Sequence, residues 1–231
     1  MLVTGRRSTW GPDAVRIAII GVGNVGTALC RAFASLGHKV VLAAADPQHS
    51  VARSREIAGD LGARADVQAA PSNAEAVDGA DMVVLAIPSV AIASVTHDIR
   101  RHVHGTIVVD PTNPVNADLS GLLNATGSAA EGVALLLDEV RVVKAFNTVF
   151  AANLTKPMVN GLPLDGFYAG DDEAAKRVVA ELLAAMGFRP LDTGGLVTAR
   201  ALEEMALINM SYNMRFGWPW QTGWKLLGPT T

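Results

Sequence analysis

The sequence predicts an α/β fold with a doubly wound, mostly parallel sheet and a small C-terminal helical lobe. Short apolar runs alternate with helical patterns along most of the 231 residues. The runs are continuous and rich in β-branched residues, as in parallel strands that are buried on both faces. One of them, Arg16–Ile20, leads through three closely spaced glycines directly into a helical pattern. Repetition of strand and helix in this way implies right-handed crossovers and helices on both faces of one sheet.

The elements follow in order from the apolar periodicity and from the residues that stop it. After the first strand, Arg16–Ile20, the first helix is expected over Thr27–Leu36, with Gly37 ending it. Further strands are expected at Val40–Ala44, Ala63–Ala70, Met82–Ile87, Thr106–Val109, Val140–Phe146, Gly166–Ala169 and Phe188–Leu191. Further helices are expected at Ser50–Leu61, Asn73–Val77, Val90–Val103, Ala129–Leu137, Asp171–Met186 and Thr198–Tyr212.

The three glycines are the most informative feature of the chain. Gly21, Gly23 and Gly26 have the G-x-G-x-x-G spacing of the dinucleotide fingerprint, in the strand-to-helix context that this fingerprint requires. The first glycine permits a tight turn, the second lets the backbone approach a pyrophosphate, and the third lets helix and strand pack closely. Backbone N–H groups of the loop, including those of Val22, Gly23, Asn24 and Val25, are then expected along the pyrophosphate at the helix N-terminus. The alternative is a glycine-rich turn that binds no nucleotide.

These patterns divide the chain into three parts. Residues 1–13 are polar and irregular and predict a loose N-terminal tail. Residues 14–148 form the predicted dinucleotide-binding Rossmann domain. Residues 149–231 form a smaller C-terminal α/β extension with a helical cap.

Composition and charge exclude several classes of partner. There are 19 basic and 22 acidic residues and no basic block, so we expect no nucleic-acid partner. No run of 18 residues is continuously apolar, so we expect no membrane span. The single cysteine, Cys30, is expected to be a buried thiol, and the chain to be cytoplasmic. No metal is expected, because His97, His102 and His104 do not have the spacing of a ligand set.

Four phrases at predicted strand ends resemble those of one enzyme family when they are taken together. They are Gly21-Val-Gly-Asn-Val-Gly26, Val108-Val-Asp-Pro-Thr-Asn-Pro114, Val143-Lys-Ala-Phe-Asn-Thr-Val149 and Ala169-Gly-Asp-Asp-Glu-Ala174. The set resembles the deazaflavin-dependent NADP oxidoreductases that use coenzyme F420, and the reductase domain of STEAP metalloreductases looks similar around Lys144–Val149. The resemblance implies hydride transfer between a nicotinamide cofactor, NADP or NAD, and a deazaflavin or flavin. Such chemistry needs closely stacked rings and few reactive side chains.

Two loops after strands are expected to contact the cofactor. Ile87, Pro88 and Ser89 follow one strand, and the resemblance implies that their loop passes the ribose and nicotinamide; alternatively, Pro88 only stops the strand. Asn113 follows the next strand and can hydrogen-bond a cofactor or substrate, since ligands collect at the carboxyl ends of open sheets. The stretch Asp110–Pro114 is equally an ordinary turn sequence.

A third loop, after the strand that ends near Phe146, is implied by the resemblance to lie beside the nicotinamide and the second ring. It makes Ala145, Asn147 and Thr148 candidate cofactor residues. Some family members have a histidine where Asn147 stands. An amide offers a donor to a carboxamide or ring carbonyl but transfers no proton at neutral pH, so the expected catalytic role of Asn147 is positioning. The alternative is that Asn147 caps a helix beginning near Val149.

The chain departs from the family after the second strand. NADP-using members usually have a Ser-Arg pair there, and this chain has Ala44, Ala45 and Asp46. Asp46 lies at the distance from the glycines at which an acid accepts from a ribose 2′-OH in NAD enzymes. Asp46-Pro47 is alternatively a turn, and Arg53 or Arg55 of the next helix is a further candidate for a phosphate.

The C-terminal segment Phe216–Trp224 contains three of the four tryptophans. It is expected to wall the active site or to lie in a homodimer interface, rather than to pack only against its own core. Met205, Asn209 and Met210 are expected to line the same region. Two other functions stay open at this point: a biosynthetic reductase of a small carbonyl or imine substrate, and a non-catalytic regulatory protein that binds NAD(P).

Overall fold

A computed structural model describes residues 14–63 and 65–228, so the predicted N-terminal tail, residues 1–13, lies outside the described residues. The strands of this part are β1 (Arg16–Ile20), β2 (Lys39–Ala43), β3 (Val67–Ala69), β4 (Met82–Leu85), β5 (Ile107–Asp110), β6 (Arg141–Ala145), β7 (Met158–Val159), β8 (Leu162–Pro163), β9 (Asp165–Gly170) and β10 (Arg189–Asp192). The α-helices are α1 (Asn24–Ser35), α2 (Pro47–Leu61), α3 (Asn73–Val77), α4 (Ile92–Ile99), α5 (Ala129–Leu136), α6 (Ala151–Leu154), α7 (Glu173–Ala185) and α8 (Ala199–Phe216).

Eight strands form one sheet in the order β10-β9-β6-β5-β4-β1-β2-β3. The six strands β1 to β6 are parallel to one another. At one side of the sheet β9 runs antiparallel to β6, and β10 runs parallel to β9. The strand order reverses at β1, which lies between β2 and β4. Ile20 pairs with Ala43 on one side and with Leu85 on the other, so the three strands end at the same level. The predicted doubly wound α/β fold is confirmed, and its switch point is the usual ligand position in such sheets.

Both faces of the sheet are covered by helices, which explains why its strands are apolar without alternation. Ile17 and Ile19 of β1 pack with Leu29 and Phe33 of α1 in one buried cluster, which also receives side chains from α2, α6 and α7. Ala18 and Ile20 point to the opposite face and pack in a second cluster with residues of α3, α4 and α5. Each β1 residue from Ile17 to Ile20 is at most 2% exposed.

Two helices begin three residues earlier than the sequence predicts. Helix α1 begins at Asn24 because Gly23 adopts an extended conformation and serves as its N-cap. Helix α2 begins at Pro47, because the Asp46 side chain accepts a hydrogen bond from the Gln48 backbone N–H and proline suits the first turn. The small β7–β8 hairpin and α6 have no counterpart in the sequence prediction, because elements of two to four residues carry no readable periodicity.

The buried carboxylate of Asp165 joins β9 and β10 to the C-terminal segment. Arg189 donates to both of its oxygens, Nε to Oδ1 at 2.7 Å and one terminal nitrogen to Oδ2 at 2.6 Å. Lys225 Nζ donates to Oδ1 at 2.9 Å, and the Leu226 backbone N–H donates to Oδ2 at 2.6 Å. Burial by itself raises the pKa of the Asp165 carboxyl, but these hydrogen bonds and the Lys225 charge together hold the pKa below its ordinary value.

Stability should therefore depend on pH through Asp165. A carboxyl with a lowered folded-state pKa stabilises the fold above its unfolded value of about 3.9, and this contribution is lost as pH falls through the folded value. We expect Asp165→Asn to lower the free energy of unfolding by roughly 2 kcal/mol at pH 7, and to lower it by less at pH 3, which is below the unfolded value. Urea titrations at both pH values measure it. The exposed Asp138→Asn is the control and should show no such loss; a pH-independent effect of Asp165→Asn would contradict the assignment.

Candidate functional site

The three glycines at the junction of β1 and α1, of which Gly26 lies in the first turn of the helix, are there for different physical reasons. At Gly21, φ is +107°, and a Cβ would lie 2.1 Å from the carbonyl oxygen of Ala86. At Gly26, a Cβ would lie 2.0 Å from the carbonyl oxygen of Gly21. The fold itself therefore requires glycine at both positions, because α1 and the end of β4 approach the loop closely.

Gly23 is different, because nothing in the described chain requires a glycine there. Its φ is −70°, which any residue adopts, and a Cβ would meet no atom within 4 Å. Among the residues that the structure describes, no side chain caps the N-terminus of α1, and its first turn contains no acidic residue. The free N–H groups and the helix dipole thus face open space beside Gly23, which is the arrangement that receives a phosphate.

A cleft of about 590 Å³ opens on this side of the loop. One wall is the glycine loop, which a hydrogen bond from Gly21 N to Ala43 O (2.8 Å) ties to the end of β2. The other walls come from the end of β2, from the loop that begins with Ile87 and Pro88, from Pro71–Asn73 and from α4. Ser89, the third predicted residue of the Pro88 loop, begins a short 3-10 turn that leads into α4 and does not line the cleft.

Asp46 has a local role at the edge of this cleft. Its Oδ1 accepts from the Gln48 backbone N–H at 2.9 Å, and its Oδ2 lies 3.8 Å from His49 Nε2. The side chain caps α2 and is about half exposed. Ala44 and Ala45, two residues and one residue earlier, line the cleft where the sequence analysis expected Asp46.

A small cavity of about 90 Å³ lies beyond the glycine loop, at the ends of β5 and β6. Asn113, Asn147 and Thr148, which the sequence analysis singled out, meet here with Val25 of α1. Side chains of α8 complete the wall, among them the predicted Asn209 and Met210 but not Met205. The Ala145 side chain lies in the buried cluster beneath α1, so only the backbone of this residue can face a ligand.

Within the described residues, the hydrogen bonds of Asn147 leave its side-chain oxygen unpaired, whereas the sequence analysis expected its amide donor to be available. Its Nδ2 donates to Asn113 Oδ1 at 2.9 Å and to Leu202 O at 3.0 Å, while Asn113 Nδ2 donates to Asn147 O at 2.8 Å. Oδ1 of Asn147 and Oγ1 of Thr148 are buried and have no partner in the described structure. Asn147 caps no helix, since α6 begins at Ala151 with Phe150 as its N-cap.

A fully buried ion cluster supports this loop from below, and the sequence analysis did not identify it. Lys144 Nζ donates to Asp110 Oδ2 at 2.9 Å, to Glu203 Oε1 at 2.7 Å and to Thr112 O at 2.5 Å. Burial raises the pKa of Glu203 by more than the Lys144 charge lowers it. The cluster connects β5, β6 and α8. A lysine between two apolar neighbours, a valine and an alanine, of a buried strand was the available signal for it.

The chain turns sharply where β6 enters this loop. Phe146 has φ +66°, a left-handed conformation that bulky residues rarely adopt. Its ring is buried and packs edge-on against Phe33 of α1, with the centroids 6.0 Å apart. The strained residue thus directs Asn147 and Thr148 toward the cavity while its own ring anchors beneath α1.

A third cavity, about 680 Å³ in volume, adjoins the small one and shares Val25, Phe150, Ala151 and Met210 with it. Trp220 lines it and packs edge-on against Phe150 at 5.4 Å. The Trp220 backbone N–H donates to Asn213 Oδ1 at 3.1 Å, which fastens the tryptophan-rich segment to α8. One of the three tryptophans therefore forms a wall of this cavity.

The predicted surface histidines form no cluster. His97, His102 and His104 each lie nearest a different exposed acidic side chain, at 3.5 to 3.9 Å. Within residues 14–63 and 65–228 there is no group of three or more His, Cys, Asp or Glu that could hold a metal ion. No helix in the same ranges is long and apolar enough to cross a membrane.

Comparisons with known proteins identify the family of this chain. The family model described as "NADP oxidoreductase coenzyme F420-dependent" matches residues 16–114. The F420-dependent NADP reductase of Methanothermobacter thermautotrophicus is 30% identical over 211 residues, which cover 87% of this chain and 90% of that protein. The chain belongs to the family of F420-dependent NADP oxidoreductases.

Two further similarities extend this result. A solved structure from Arthrobacter sp. FB24, provisionally described as an F420-dependent NADP reductase, superposes with a TM-score of 0.79 at 29% identity, covering 93% of this chain and all of that one. Rat metalloreductase STEAP3 is 30% identical over 199 residues, which cover 84% of this chain and 37% of that longer protein. Both likenesses predicted from the sequence are confirmed, and so is the class of the chain, an NAD(P)-dependent oxidoreductase.

In this oxidoreductase, Gly23 and Gly26 should respond differently to the same substitution. Gly26→Ala forces a Cβ onto the Gly21 carbonyl and should lower the free energy of unfolding by about 3 kcal/mol. Gly23→Ala meets open space and should cost less than about 1 kcal/mol, the usual scale of an N-cap change. Urea denaturation followed by circular dichroism measures both. Equal losses at the two positions would mean that Gly23 is also held by the fold.

Proposed function

We propose that this oxidoreductase transfers a hydride between a nicotinamide dinucleotide, NADP or NAD, and a deazaflavin or flavin such as coenzyme F420. The single observation that carries the proposal is the open space at Gly23 beside an uncapped helix N-terminus. A glycine that the fold does not need, placed where the backbone of this fold approaches a pyrophosphate, fits a bound dinucleotide. The names of the relatives from Methanothermobacter, which specify F420 and NADP, point to the same pair of reactants.

The arrangement of the cavities supports an extended dinucleotide across the carboxyl edge of the sheet. Val22 and Gly23 border the 590 Å³ cleft, whereas Val25 borders the 90 Å³ cavity. An adenosine half would occupy the cleft, with Ile87 and Pro88 along its path. The nicotinamide half would lie at the small cavity, where Asn147 Oδ1 can accept from a carboxamide and Thr148 Oγ1 can donate or accept.

The lining of the small cavity favours a ring acceptor over a small carbonyl or imine. Its lining residues are Val25, Pro111, Asn113, Phe146–Ala151, Ala206, Asn209 and Met210, none of which carries a titratable side chain. Reduction of a carbonyl or imine places a proton on the reacting oxygen or nitrogen, which an enzyme supplies with a general acid. A deazaflavin or flavin accepts the hydride, and with it both electrons, in its ring, and water can protonate a ring nitrogen. Positioning is then the main task of the protein.

The neighbouring 680 Å³ cavity is the proposed place for the rest of the acceptor. It continues from the small cavity through Phe150 and Met210, and the Trp220 ring stands at its wall. An aromatic wall of this kind suits a planar ligand. We accordingly propose that residues 14–148 bind the dinucleotide and that residues 149–231 supply the acceptor side.

We propose in addition that the protein is a cytoplasmic homodimer. Tyr212, Phe216 and Trp218 stack on one another at the end of α8, yet each is 42% to 53% exposed. Aromatic side chains exposed together in this way are typical of protein interfaces. Sedimentation analysis of the wild type and of Phe216→Ser measures the association.

Gly23→Val tests the proposed cofactor site. A branched side chain at this position would occupy the space of the pyrophosphate, so we expect the Kd for both NADH and NADPH to rise at least about a hundred-fold while the fold is retained. Fluorescence titration measures the Kd, and oxidation at 340 nm with F420, FMN or FAD as acceptor measures turnover. Gly59→Ala, also in open space but on α2, is the matched control.

Three results would separate the proposals. Unchanged dinucleotide affinity in Gly23→Val would refute the site. Binding by the wild type without reduction of any ring acceptor would favour a regulatory protein. Reduction of small imines or carbonyls in place of ring acceptors would favour the biosynthetic reductase.

Asn147→Ala tests the positioning role. The change removes the free acceptor Oδ1 and the bonds to Asn113 and Leu202, so the nicotinamide would be held less closely. We expect kcat to fall about ten- to a hundred-fold, with a smaller change in dinucleotide Kd, since the pyrophosphate contacts persist. Stopped-flow measurement of a single turnover separates the two. Asn116→Ala, in a loop outside the cavity, should leave both constants unchanged, and an unaltered kcat in Asn147→Ala would contradict the role.

A further inference from the structure

One wall of the 590 Å³ cleft is formed by the residues that follow β2. In the proposed binding mode, this wall would contact the adenosine ribose. In doubly wound folds the 2′ position of this ribose lies beside the residues that follow the second strand. An arginine there holds a 2′-phosphate through bidentate hydrogen bonds, whereas an unphosphorylated ribose needs no cation. The chemistry of this wall therefore decides between the two nicotinamide dinucleotides.

In this chain that wall is apolar and small. Ala44 and Ala45 line it, and the Ala45 side chain is exposed. Among the described residues that line the cleft there is no lysine or arginine, and the charged side chain present is Asp98 of α4, an anion. Asp46, the next residue beyond Ala45, adds a second carboxylate at the rim. A dianionic phosphate placed here would gain no counter-charge from these side chains.

The arginines of α1 and α2, which include the candidates Arg53 and Arg55, do not line this cleft. Arg31 and Arg53 line the 680 Å³ cavity on the other side of α1. Arg31 forms ion pairs with Glu56 at 2.8 Å and Asp60 at 2.7 Å, and Arg53 forms one with Glu56 at 2.5 Å. Their charges are already balanced by carboxylates, and neither side chain lines the cleft of the proposed adenosine half.

We infer that this oxidoreductase selects the dinucleotide without the 2′-phosphate, NADH over NADPH, and that Ala45 is the specificity-determining position. The inference rests on the proposed function, because it concerns the same cleft. It sets this chain apart from the Methanothermobacter relatives, whose names specify NADP. The residues at the end of β2 fit adenosine and pyrophosphate but offer no partner to the additional phosphate.

Direct binding measurements on the full-length wild type test the selectivity. Titration with NADH and with NADPH, followed by nicotinamide fluorescence, should give a Kd for NADH at least about ten-fold lower. Ala45→Arg introduces a guanidinium at an exposed position without displacing a buried side chain. It should lower the Kd for NADPH by about ten-fold or more and change that for NADH by less than about three-fold. The gain should diminish at high salt, as expected for a charge interaction.

Ala45→Gln is the matched control, since it adds a long polar side chain without the charge. It should leave the NADPH affinity close to that of the wild type. Tighter or equal binding of NADPH by the wild type would overturn the selectivity while leaving the proposed function standing. A gain in Ala45→Gln equal to that in Ala45→Arg would overturn the electrostatic role of the position. Binding of neither dinucleotide by the folded protein would remove the proposed function and the inference together.

Discussion

The structure depends on the close backbone approach among Gly21, Gly26 and Ala86. With side chains at either glycine this approach would be sterically impossible, because each Cβ would lie about 2 Å from a carbonyl oxygen. The contact brings the first turn of α1 against the ends of β1 and β4, at the point where the strand order reverses. Everything proposed about the dinucleotide follows from the position that the helix N-terminus thereby acquires. Gly23 lies between Gly21 and Gly26 in this tightly packed turn, and its own surface stays open to a ligand.

The other side of the candidate site, where α8 meets β5 and β6, is held by buried ion pairs rather than by close backbone packing. Lys144, Asp110 and Glu203 are fully buried, and one cation faces two acids. Removing charges from water is costly, and a cluster of this type stabilises mainly when every hydrogen-bonding position is filled. Glu203 Oε2 has no partner in the described structure, which agrees with the raised pKa of this carboxyl. The cluster links α8 to the sheet, so the helix that walls the small cavity is fixed to the strands that end beneath it.

The parts of this architecture that the sequence predicts are those with local signals. β1 was predicted to the residue, and the glycine loop was recognisable because strand, glycines and helix follow one another directly. The meeting of Asn113 with Asn147 follows from the rule that parallel strands end at one edge. In contrast, Glu203, one of the partners of Lys144, lies 59 residues away on α8, and no local pattern in the sequence predicts this pairing. The choice between donor and acceptor at Asn147 likewise depends on the Leu202 carbonyl, which only the packing of α8 brings near.

The conformation of Phe146 has a consequence for how this site can vary. Glycine would relieve its left-handed backbone but would remove the ring that rests against Phe33 under α1. A β-branched residue would restore some bulk and increase the conformational penalty. The left-handed backbone conformation thus favours glycine at this position, whereas packing under α1 favours a large aromatic side chain. The ring of Phe146 touches the helix that begins at the glycine loop, and the next two residues border the small cavity, so this single residue joins the two sides of the candidate site.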